Sequence, residues 1–238
     1  MEEIRLNKYL ASCGICSRRD ADKLIDDGRV TVNGEVAKAG QKVTSADKVS
    51  VDGKAVEQNS SKVVIAYNKP RGVVVTERDE HAKVTIRDVI DYPVRLTYAG
   101  RLDKDSEGLI LLTNDGDFIN AAMKARNYHE KEYIVTVDKE VTDEELDTLR
   151  KGVYLKELDV TTRSCKVERI GKCKYRVVLS QGLNRQIRRM FQAIGRSVVK
   201  LKRIRVITVE LGDLKVGEYR ELTSAEMTKL YDSVGLDY

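Results

Sequence analysis

At 238 residues, with 41% apolar and 34% charged side chains, the chain has the make-up of an ordinary globular protein. It is long enough for one large domain, or for a medium domain with a small appendage. No apolar run approaches membrane-spanning length, and residues 1–8 carry two acids and no apolar h-region, so the expectation is a cytoplasmic protein with no membrane partner. Two histidines and four cysteines leave few metal ligands. Only Cys13 and Cys16 have motif spacing; without a second ligand pair or a leading strand they read as half-buried structural thiols.

The net charge of +5 is unevenly placed. Residues 1–60 hold ten Lys/Arg and ten Asp/Glu, so the whole excess lies beyond them. Residues 182–209 contain Arg185, Arg188, Arg189, Arg196, Lys200, Lys202, Arg203 and Arg205 with no acid between them. Solvated faces normally mix signs, so this basic stripe points to a polyanion such as nucleic acid, with Lys202 and Arg203 expected among its contacts.

Taken in chain order, residues 5–12 read as a helix. Ser17 with Asp20 forms a capping-box pattern that opens a second helix with Ala21, Leu24 and Ile25 inward, and Gly28 ends it. Val30 and Val32 then alternate into an Asn33-Gly34 hairpin turn, Val43, Val49 and Val51 continue as short strands, and the polar residues 57–62 form a linker. This order of helix, Cys-Ser-Arg-Arg turn, helix, strand, Val-Asn-Gly turn and strand resembles the small alpha-L RNA-binding module first known from a small-subunit ribosomal protein. The resemblance sets Arg5, Lys8, Ser17, Arg18, Arg19 and Lys23 against RNA backbone. Independently, Arg18 and Arg19 fall in the first turn of their helix, where the dipole disfavours cations. Either an external anion or the following Asp20 and Asp22 answers that charge.

Beyond the linker, residues 63–67, 73–75, 109–113, 131–137, 175–180 and 201–209 read as strands, several rich in β-branched residues. Helices are expected to start at Thr85, Asp117, Thr142, Asn184 and Thr223, with capping boxes at Thr142/Glu145 and Thr223/Glu226. The expected class is α+β: a small helix-helix-hairpin RNA-binding domain over residues 1–60, and a second domain over 61–238 built on a large mixed, mainly antiparallel sheet.

Residues 100–109 set Asp103 between two cations and two glycines, directly before an apolar strand, a place where a rigid scaffold presents a reactive group. By spacing alone, an Asp in such a loop is more often a turn former. Residues 184–194 carry Ile187, Met190, Phe191 and Ile194 on one helical face, with Arg185 and Arg188 three apart along its edge. Arg185, at the helix start, hints at an anion held there.

Four runs in this order, Asn68-Lys69-Pro70-Arg71-Gly72, residues 100–116, Lys131-Glu132-Tyr133, and residues 181–190, make the chain resemble the RsuA-type ribosomal RNA pseudouridine synthases over nearly its full length, closest to their RluF branch. The resemblance implies isomerisation of a uridine in ribosomal RNA, in the large subunit, without metal or organic cofactor. It makes Asp103 the carboxylate that starts glycosidic-bond cleavage, by attack on the base or by proton abstraction at the ribose. Tyr133 becomes the ring that stacks on the flipped base and relays a proton, and Arg188 the guanidinium paired with Asp103. Arg101 would act near the flipped nucleotide and Leu201 would wall the tyrosine; Lys69, Arg71 and Arg185 are expected phosphate contacts. The implied partner is ribosomal RNA or a pre-ribosomal particle, with transfer RNA as a secondary substrate and the protein a monomer. The alternative is a non-catalytic RNA-binding assembly factor using the same basic surface.

Overall fold

The computed structural model describes residues 3–57, 61–76, 82–124 and 127–238. It divides into two compact units, one formed by residues 1–63 with 92–97 and 114–116, the other by the remaining residues. Residues 58–60 of the expected linker lie outside the described residues.

In the first unit β1 (Ile4–Arg5) and α1 (Leu6–Ser12) precede α2 (Arg18–Asp26), followed by β2 (Val30–Val32), β3 (Glu35–Val36), β4 (Lys42–Val43), β5 (Val49–Val51) and β6 (Lys54–Ala55). The Asp20 amide donates to Ser17 Oγ, which donates in turn to the Asp20 carboxylate, closing the cap that the sequence pattern called for. Asn33 and Gly34 both have positive φ, 53° and 90°, as a two-residue hairpin turn matching strand twist requires. Leu6, Leu10, Ala21, Ile25, Val30, Val43 and Val49 share one apolar core. Arg5 pairs with Lys42 between β1 and β4 rather than starting α1. Cys13 and Cys16 are half-buried at its edge, and burial pushes both thiols above their ordinary pKa, against a thiolate role.

The second unit contains, apart from the first residue of β8 and of α4, β7 (Val64–Lys69), α3 (Ile86–Val89), β8 (Thr97–Ala99), β9 (Glu107–Thr113), α4 (Gly116–Met123), β10 (Lys131–Val137) and α5 (Asp143–Lys151). After them come β11 (Tyr154–Leu155), β12 (Val160–Thr161), β13 (Lys166–Gly171), β14 (Lys174–Leu179), α6 (Gln186–Ala193), β15 (Val198–Val206), β16 (Val209–Glu210), β17 (Tyr219–Glu221) and α7 (Ser224–Val234). The main sheet runs β13-β14-β10-β15-β9-β7-β17, antiparallel throughout except between β15 and β9. One face is covered by α4 and α7, whose Phe118, Ala122, Leu230 and Tyr231 pack on Val64, Ala66, Leu109 and Leu111. The other carries α6, whose buried Ile187, Met190 and Phe191 include a ring 6.0 Å from that of Tyr175.

Three expectations are corrected. Residues 73–75 form no strand; Val74 makes only an isolated bridge to Thr85. The expected strand 201–209 breaks at Ile207, which takes φ 57° in a two-residue turn that folds β16 back on β15. Helix α6 begins two residues late, because Leu183 and Gln186 close a turn on each other: the Gln186 amide donates to Leu183 O, and the Leu183 amide to Gln186 Oε1. Arg185 therefore sits at the N-cap with φ 51°, a left-handed backbone uncommon for a long side chain.

The parallel contact of β9 with β15 demands a glycine. Gly108 has φ 105°, and a Cβ there would lie 2.2 Å from the carbonyl oxygen of Arg203. Gly108→Ala should therefore lower unfolding free energy by at least about 2 kcal/mol, a shift urea titration would resolve. At the other side of the sheet, Glu226 caps α7 by accepting from the Thr223 amide, and it pairs with Arg220 at 2.7 Å; Arg220 comes first in holding its pKa down to about 2, from 4.5. A depressed carboxylate contributes stability above the unfolded pKa and loses it as pH falls toward the folded one. Glu226→Ala should thus cost roughly 1 kcal/mol at pH 7, with the difference from the parent shrinking as pH drops below about 4.5.

Candidate active site

The site is built from one lateral row of the sheet. Tyr133 on β10 lies opposite Arg203 on β15, Arg203 beside Gly108 on β9, and Gly108 opposite Lys69 on β7. Residues in register share a face and strands lie roughly 4.8 Å apart, so Tyr133 and Lys69 stand about 14 Å apart with Arg203 between them. Leu201, opposite Val135, lies two residues along on the same face.

The chain before β9 holds Asp103 beside this row. Ser106 donates to Asp103 O, forming a tight turn, and the Gly72 amide donates to Lys104 O. Arg188 Nη2 donates to Asp105 O at 3.1 Å, and Arg203 Nη1 to Arg101 O at 3.3 Å. Four ties thus fix a loop that has no secondary structure of its own. The Asp103 side chain stays 31% exposed, reachable by a substrate.

Cations surround that carboxylate. Arg185 Nη1 stands 3.8 Å from Asp103 and 3.9 Å from Asp105. Arg188 donates from Nη1 to Val198 O at 3.0 Å. Burial, with Arg185 next, pulls its pKa below the ordinary value, and Asp103 and Asp105 oppose the shift. Lys69 lies fully buried, donating from Nζ to the carbonyls of Pro70 and Val73, both at 2.9 Å. Desolvation lowers its pKa to about 8, while Asp103 pushes the other way. Lys131, two residues before Tyr133, is likewise lowered to about 8 by burial, with Arg203 adding to the effect. Tyr133 packs into the sheet at 9% exposure.

Several expected site residues take other places. Arg203 is 1% exposed and gives its guanidinium to backbone carbonyls, so it is no phosphate contact; it lies on the same face of the sheet as Leu201 and Tyr133. Lys69 is corrected for the same reason: it ends a strand buried on both faces rather than bracketing a surface turn. The ion pair at Asp103 comes from Arg185, the residue expected on phosphate, while Arg188 reaches the adjacent carbonyl of Asp105. Lys202 alternates with Arg203 onto the opposite face of the sheet. Arg71 and Arg101 are exposed, and Arg71 lies close enough for its charge to bear on Arg188.

The basic stripe is also largely answered by tertiary partners. Arg205 pairs with Glu130 and Glu132 at 2.9 Å, Arg196 with Glu145 at 2.8 Å, and Arg189 with Glu157. In the first unit Arg5, Arg18, Arg19 and Lys23 remain exposed and Lys8 half-buried. The sequence reading took Lys69 for a surface cation and gave Lys131 no role of its own; the signal was a lysine that ends (Lys69) or opens (Lys131) an apolar strand.

This geometry sets a partly exposed carboxylate among cations, next to the sheet row that carries Tyr133, a setting for acting on an anionic, planar substrate. Comparison with known proteins is consistent with it. Residues 63–193 match the RNA pseudouridylate synthase family model and residues 4–49 the S4 domain. The chain is 45% identical over 230 residues to the dual-specificity RNA pseudouridine synthase RluF of Escherichia coli K12, covering 96% of this chain and 78% of that protein. It is 38% identical to the ribosomal large subunit pseudouridine synthase B of Bacillus subtilis, covering 95% of each. A crystal structure of a pseudouridylate synthase superposes with a TM-score of 0.70 at 32% identity, over 95% of this chain and 99% of the other. With the carboxylate loop, tyrosine strand and arginine helix inside the matched residues, the chain belongs to the RNA pseudouridine synthases, with an S4 domain preceding the catalytic fold.

Proposed function

We propose that the protein converts a uridine of large-subunit ribosomal RNA to pseudouridine, with Asp103 as the catalytic carboxylate. Residues 1–60 serve as the RNA-binding arm and 61–238 as the catalytic domain. The observation that carries this reading is the Asp103 loop, tied at four points and paired with Arg185 beside the Tyr133 row.

Net isomerisation breaks the bond from N1 to the ribose C1′ and forms one from C5 to C1′; the C5 proton is lost and N1 gains one. Asp103 starts the cleavage, and Arg185, 3.8 Å away, orients its carboxylate, with Arg188 anchoring the loop from the other side. Tyr133 offers an aromatic face to the displaced base, a contact worth about 1–3 kcal/mol. Its phenol takes the C5 proton, and Leu201 walls the same face. Arg101 enters the space the base vacates, and Arg71 holds a neighbouring phosphate. Arg5, Lys8, Arg18 and Arg19 extend the backbone grip from the first unit. A pure RNA-binding assembly factor would gain nothing from a carboxylate set toward phosphate, which favours the enzyme.

Purified protein should convert one uridine in unmodified ribosomal RNA in the presence of EDTA, read by carbodiimide-stop primer extension. Asp103→Asn should abolish the stop while RNA binding persists; full activity in that variant would overturn the assignment. Salt titration of RNA binding separates the cations. Arg71→Ala should lower the slope of log affinity against log salt by roughly 0.7–0.9, whereas Lys202→Ala, on the opposite face, should leave it unchanged.

A further inference from the structure

We propose that Arg203 is a positioning residue for this reaction: its buried guanidinium clasps the Asp103 loop at both ends and sets it against the strand that carries Tyr133. The proposal rests on the function just given and concerns a residue that the basic stripe had suggested for RNA contact.

Two hydrogen bonds define the clasp. Nε donates to Leu109 O at 2.6 Å and Nη1 to Arg101 O at 3.3 Å, so a single planar group brackets residues 102–108, the turn that presents Asp103. Leu109 O is open to this contact for a topological reason. Its cross-strand partner Asn68 turns its amide to Glu218 O and accepts from Gly217 on the far side, so the Leu109 carbonyl faces β15. The parallel pairing there ends at Arg203 and Gly108, and the side chain takes the acceptor that the backbone leaves.

The position is also expensive for stability alone. Arg203 is 1% exposed, its charge bears on both Lys69 and Lys131, and its Nη2 is buried without an acceptor. Placing a third cation near buried Lys69 and half-buried Lys131, and leaving one of its donors unpaired, is costly for folding. An apolar side chain would pack between Tyr133 and Gly108 without that penalty, but it would leave the loop untied at both ends. A lysine would carry the charge yet reach one carbonyl at most, since it lacks the planar fork. The guanidinium touches no reacting atom. It acts through Asp103, whose distance from the Tyr133 face it sets.

Arg203→Lys and Arg203→Met test this in the full-length protein. Both should keep a cooperative thermal transition and bind ribosomal RNA within about threefold of the parent, while single-turnover conversion falls on the order of 100-fold, as expected for a carboxylate misplaced by about 1 Å. Amide exchange supplies a second reading. The Ser106 and Gly72 amides, which close the loop on Asp103 O and Lys104 O, should exchange faster in Arg203→Lys, while those of central β9 and β10 stay protected. Conversion within about threefold of the parent, or a loss matched by an equal loss of RNA binding, overturns the proposal. So does absence of a cooperative transition in both variants, which would make Arg203 a residue of the general fold. Should the parent itself convert no uridine, the functional reading fails separately; the clasp then stands or falls on the Ser106 amide, and unchanged exchange there refutes it.

Discussion

Gly108 lies against the backbone of Arg203 at the parallel pairing of β9 with β15, and the site depends on that approach. The pairing inserts a late strand between β9 and β10, so Asp103 and Tyr133, thirty residues apart in the chain, come to share one face of the sheet. It also sets a side chain of β15 between them. The missing Cβ at Gly108 permits that close strand contact. The same row thus carries the tyrosine, the clasp and the buried lysine without any of them being close in sequence.

Charge is distributed with the same economy. Arg185 faces solvent and Asp103, Arg188 is anchored on carbonyls, and Lys69 lies beneath the loop with its pKa drawn down to about 8. The lysine pays for its burial by holding a proton less firmly. The cations that remain outside are Arg71 and Arg101 near the loop and Arg5, Arg18 and Arg19 in the first unit, all exposed.

Local chemistry made much of the architecture legible in advance. The caps at Ser17, Thr142 and Thr223 start helices where the pattern put them, because a side-chain oxygen answers an amide only three residues away. The β10 strand matched residue for residue, since a β-branched alternating run offers no competing structure. Where the reading slipped, the cause lay at a distance or in a turn. The α6 start moved because Gln186 bonds back to Leu183, β15 stopped at a left-handed Ile207, and β13 went unseen because its exposed Glu168 and Gly171 mask a strand held by β14.

By itself, then, the sequence determined the family, the order of elements, the α+β class and the motifs that carry chemistry, because periodicity, caps and turn residues act over a few positions. Which cation serves which purpose was decided only in three dimensions. The stripe over residues 182–209 reads as uniformly basic along the chain, yet strand alternation turns Arg203 inward and Lys202 to the opposite face. Distant Glu130, Glu132, Glu145 and Glu157 meanwhile neutralise Arg205, Arg196 and Arg189. Coulomb interactions and burial depend on distance in space; a run of like charges fixes their number, and the sheet decides what each one faces.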